Sequence, residues 1–89
     1  MLKILKDAIR LNDKYKAVML DLDREQLNED DVVFQIRFEL DTLKYGSSTD
    51  EQLEDEGYTE GQIKRMKGTA IKHLEGLLDK YGYDLDDKI

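Results

Sequence analysis

No proline occurs anywhere in this chain of 89 residues, and no glycine occurs before Gly46. Proline interrupts a helix by removing a backbone donor, and glycine supplies the conformations that tight turns most often need. The first half is therefore free to run in long helices and poorly equipped for hairpins. At about 100° per residue, Ile4, Leu5, Ala8, Leu11, Tyr15, Val18, Met19 and Leu22 fall on one side, with Lys3, Lys6, Arg10, Lys14 and Asp21 on the other. That period predicts one amphipathic helix from residue 2 to about 25. Its stripe is broader than so small a core can cover, so a homodimer or larger homo-oligomer is expected.

Val32 to Leu43 satisfies two periods at once. Phe34, Ile36, Phe38 and Leu40 alternate with Gln35, Arg37, Glu39 and Asp41 as in a half-buried strand. Val32, Val33, Ile36, Leu40 and Leu43 also share one helical face, Phe34 and Phe38 form an i,i+4 pair on another, and Asn28 to Asp31 offers a cap and first-turn acids. An α+β alternative would pair residues 17–22 with 32–40 as a hairpin. The intervening loop is long and lacks glycine, which favours helix from about 30 to 44.

Beyond that segment the punctuation is plainer. Tyr45 to Ser48, with Gly46 and two serines, reads as a loop, and a short helix restarts near Thr49 and stops at Gly57. Thr59 with Gln62 three residues on forms a capping-box pattern, and Ile63, Met66, Ala70, Leu74, Leu77 and Leu78 make the stripe of a last helix ending near Gly82. The fold expected is all-α: one small domain of three to four helices over residues 1–82, with a loose acidic tail over 83–89.

Charge and residue types narrow the chemistry. The net charge of −7 is concentrated: residues 25–57 carry two Lys/Arg against eleven Asp/Glu, whereas residues 1–24 and 58–81 each sum to +2. Such a chain is repelled by nucleic acid as a whole yet can present a basic face. The absence of cysteine removes disulfides and thiolate ligands and suits a reducing compartment, so a cytoplasmic location is expected. No apolar run is long enough for a bilayer span. His73, the one histidine, has no partner at a catalytic or metal-binding spacing and reads as a half-exposed polar residue. The acidic run lacks the order of a calcium loop. No enzyme, cofactor, metal or small-molecule substrate is expected.

The most informative stretch is Gly57 to Leu78. On a helix, Gly61, Arg65, Gly68, Lys72 and Gly76 lie opposite the apolar stripe, forming a low surface flanked by cations that a nucleic-acid or protein backbone could approach. This stretch, with Ile36, Arg37, Phe38 and Leu40 before it, resembles the C-terminal helix-turn-helix (region 4) of bacterial primary sigma factors and related phage regulators. Gly57, Tyr58 and Thr59 resemble the turn, Ile63 to Met66 the recognition helix, and Ala70 to Leu74 its continuation. The resemblance spans residues 27–78 and implies a small helix-turn-helix-like regulator, of the kind encoded by phages and mobile elements. It would act in transcription by placing Gly61, Lys64, Arg65, Gly68 and Lys72 against DNA. Glu60 and Gly61 depart from the family by standing where it usually carries arginines. The alternative is an acidic protein-binding inhibitor or adaptor, in which Glu51, Glu54, Asp55 and Glu56 engage a basic partner protein by imitating a phosphate backbone.

Overall fold

A computed structural model describes residues 2–84 as four helices: α1 (Lys3–Lys14), α2 (Glu29–Tyr45), α3 (Ser48–Asp55) and α4 (Glu60–Lys80). The described residues contain no strand, so the hairpin alternative is excluded and Val32 to Leu43 is helical. Helix α4 packs against each of the other three, while α1 and α3 do not meet. The core they share is aliphatic, with Ile4, Leu5, Val32, Ile36, Leu43, Leu53, Leu74 and Leu78 fully buried.

Three of the four helices stop and start where local chemistry directs. Asn28 caps α2 by accepting the Asp30 N–H at 2.9 Å. Thr59 and Gln62 close a reciprocal capping box at the start of α4. Gly57 and Gly82 adopt φ of +96° and +81° after α3 and α4. In each case the next residue, Tyr58 or Tyr83, donates its N–H to a carbonyl five residues back, at Leu53 or Leu78, and its ring packs on the core. Tyr83 is thereby held, and its hydroxyl also donates to Glu29. The loose tail was expected to begin at this residue; positions 85–89 lie outside the described residues.

The first helix departs from expectation. It ends at Lys14, not near residue 25, and residues 15–28 form an irregular connection. Two side chains from elsewhere supply the backbone partners that a longer helix would have supplied internally. The Asn12 amide accepts the Leu20 N–H at 2.9 Å and donates to the Leu20 carbonyl at 3.0 Å, as a neighbouring strand would. Glu39 accepts the Met19 N–H at 2.8 Å. With the Met19 and Leu20 N–H groups and the Leu20 carbonyl matched, the connection buries Ala17, Val18 and Leu20 in the core. Ile4, Leu5 and Ala8 of α1 are fully buried within the single chain. The α1 stripe that motivated self-association is therefore largely covered within the chain, and among the described residues the exposed large apolar groups are Leu27, Phe34, Phe38 and Tyr45.

Candidate functional site

Gly61, Lys64, Arg65, Gly68 and Lys72 are all exposed on α4. A Cβ placed on Gly61, Gly68 or Gly76 would meet no other atom within 4 Å, so none of the three is required by packing inside the chain. Helices α3 and α4 are joined by the short connection Glu56 to Thr59, in which Gly57 takes a positive φ.

The cations on α4 separate into two environments. Lys64 lies along a hollow shared with α2 and α3, where Lys44 and Lys67 are balanced by Asp50, Glu54 and Glu60. Lys67 pairs with Asp50 at 2.8 Å and Lys44 with Glu75 at 3.0 Å, so positive charge on this side is largely consumed. Arg65 and Lys72 face the other way, toward α1. Arg65 lies with Lys14, Tyr15 and Lys16 around one hollow, and Lys72 with Arg10, Lys14 and Lys80 around the next. Lys14 borders both hollows, which makes one surface carrying Arg10, Lys14, Lys16, Arg65, Lys72 and Lys80, with Asp7 its one acid.

Aromatic contacts hold this surface together. Tyr15, the residue after α1, stacks on His73 with ring centroids 4.7 Å apart, and the Tyr15 hydroxyl shares a 2.9 Å hydrogen bond with His73 Nε2. The Lys14 ammonium sits 5.5 Å from the centre of the Tyr15 ring, and Lys16 lies 5.8 Å from that of Tyr58. At the far end Asp7 accepts hydrogen bonds from Lys80 at 2.9 Å and from the Tyr81 hydroxyl at 2.7 Å. The Lys80 bond, followed by that of Tyr81, holds the Asp7 carboxyl below its ordinary range, and the same bond to Asp7 raises the Lys80 ammonium. His73 is thus a positioning contact between the end of α1 and the middle of α4. Among the described residues no group of three or more potential metal ligands converges.

Glu51, Glu54, Asp55 and Glu56 lie exposed on and just after α3. No ion pair engages any of them among the described residues. Glu54 faces Lys64 across their shared hollow, so the two expected binding sets adjoin. The contributions of Arg10, Lys14 and Lys16 were missed in the sequence, because a helix continuing to residue 25 carries Lys16 away from Arg65. The one local hint was the polar pair Asn12–Asp13 near the true helix end. Among the described residues no helix is long and apolar enough to cross a membrane. Comparison with protein-family models, with curated proteins and with solved structures finds no match.

Proposed function

We propose that this protein is a small helix-turn-helix-like regulator that binds DNA through the basic surface between α1 and α4 and acts in transcription. The observation that carries this reading is the convergence of six cations against one carboxylate in a chain whose net charge is −7. Charge of one sign gathered along a hollow raises the local potential and recruits phosphates even when the whole molecule is acidic. Phosphate contacts dominate affinity, and each displaces condensed counterions. The exposed Gly76 of α4 leaves room for a sugar-phosphate backbone beside Lys72. Relative to the arrangement implied by the resemblance, the binding surface moves from the start of α4, where Glu60 and Glu54 flank Lys64, to its middle.

Fluorescence anisotropy with a labelled mixed-sequence duplex tests the reading. Binding is expected at about 50 mM salt, in the micromolar range of non-specific association. Lys16→Ala and Arg65→Ala should each weaken it and reduce the salt slope by about one, while Lys64→Ala should change little. A duplex that does not bind at low salt, or binding indifferent to Lys16 and Arg65, rejects it. A second reading rests on the four unpaired carboxylates at and after α3, which would engage a basic protein. It predicts that neutralising them abolishes capture of that partner, whereas the DNA reading predicts that the same change strengthens duplex binding.

A further inference from the structure

A groove on a different part of the surface shares no residue with the α1/α4 hollows. It runs between the Met19–Asp21 stretch and α2 and reaches the start of α3, with a volume of about 470 Å³. Glu39 lines it although only 5% exposed. One of its carboxylate oxygens accepts the Met19 N–H at 2.8 Å, and the other receives no hydrogen bond from a described residue. The residue is nearly buried, yet that second oxygen is not among the buried oxygens left without a partner and so opens to the groove, where a charged donor can reach it. Burial accordingly raises its proton affinity.

Around this acid the groove offers what a long cationic side chain needs. Asp21 adds a second negative charge, and among the described residues no cation lines the groove. The positive end of α3 at Ser48 is covered by first-turn Asp50 and Glu51. Phe34 and Phe38 are 47% and 59% exposed, and their rings stack with centroids 6.4 Å apart. Exposed rings of this kind cover an aliphatic stem and attract the cation at its end. Thr42 and Gln35 supply further polar atoms. Charge of this sign repels a phosphate backbone and selects a basic protein segment.

We propose that this groove docks a partner protein that inserts one arginine or lysine, carried between apolar residues, with its charged end on Glu39 and its stem along Phe34 and Phe38. The groove lets the protein hold a second macromolecule independently of the α1/α4 surface, and the inference does not rest on DNA binding. Arginine fits best, since its planar fork can meet a carboxylate with two parallel bonds.

The test is a heteronuclear NMR titration of the full chain with the capped tripeptide Leu-Arg-Leu and its citrulline counterpart, which has the same shape without the charge. The expected result is saturable shifts at the Met19, Phe34, Phe38 and Thr42 amides, with the citrulline peptide about tenfold weaker, the effect of losing one charge-assisted bond. Glu39→Gln should abolish the preference for arginine while keeping an acceptor for Met19. Phe34→Ala combined with Phe38→Ala, both at exposed positions, should weaken both peptides. The proposal is overturned if neither peptide gives saturable shifts, if the two bind equally, or if Glu39→Gln retains the preference. It is equally overturned if capped arginine alone matches the tripeptide, marking a small-cation site, or if the groove amides shift on simple dilution, marking a second copy as the occupant.

Discussion

Replacing Gly68 and Gly76 by alanine separates the cost of the open face on α4 from its use. Both lie inside the 21-residue helix, whereas Gly61 is only its second residue and contributes less to helix propensity. Each interior glycine costs about 1 kcal/mol relative to alanine. An added Cβ meets nothing within 4 Å at either position, so no steric loss offsets the gain. Eight residues at about 1.5 Å each place them roughly 12 Å apart, far enough for the effects to add. The double variant should therefore be about 2 kcal/mol more stable, which for a domain of this size raises Tm by roughly 8–16 °C. Thermal unfolding followed by circular dichroism measures the shift, and duplex anisotropy on the same samples measures the proposed DNA binding. Gly76 borders the hollow with Lys72 and Lys80, whereas Gly68 borders the one with Lys64. Gly76→Ala should thus lose more duplex affinity than Gly68→Ala, with the salt slope unchanged because no cation is removed. A Tm that stays level or falls would mean that this face is in contact within the fold and that the glycines are needed there.

Two further outcomes follow from the irregular connection after α1. Asn12→Ala removes both bonds to Leu20 and leaves a part-buried N–H and carbonyl unmatched, so it should cost about 2 kcal/mol and speed hydrogen exchange at Leu20 before that of the α4 core. Glu39 has a folded-state pKa raised above its ordinary 4.5 by burial, with the Met19 N–H opposing. Its stabilising contribution is therefore complete below that value and is lost as pH rises through the folded-state pKa. Glu39→Gln should remove this decline, so denaturant titrations across pH 4–8 should show the variant gaining on the natural chain as pH rises; a constant difference would contradict the assignment.

The legible parts of the fold are those decided by neighbours in sequence. Asn28, the Thr59–Gln62 pair, Gly57 and Gly82 act within a few residues of themselves, and the ends of α2, α3 and α4 fall where they indicate. The end of α1 depends on Asn12 reaching Leu20 and Glu39 reaching Met19, contacts that no local pattern encodes. The lack of glycine and proline permitted a longer helix without requiring one. The candidate site divides in the same way. Periodicity placed Arg65 and Lys72 on the exposed side of α4, but Lys14 and Lys16 join them only because the chain turns at Tyr15. Phe34 and Phe38 were recognisable as an i,i+4 pair, whereas the burial of Glu39 could not be read from a position that looked like the polar side of an alternation.

A heteronuclear NMR titration of the chain with a short mixed-sequence duplex at low salt shows whether the proposed surface between α1 and α4 takes up DNA. Saturable shifts are expected at Arg10, Lys14, Lys16, Arg65, Thr69 and Lys72, reversed by added salt, with Glu51 to Glu56 unmoved. Shifts confined to residues 51–56, or none along the α1/α4 surface, would contradict the proposal.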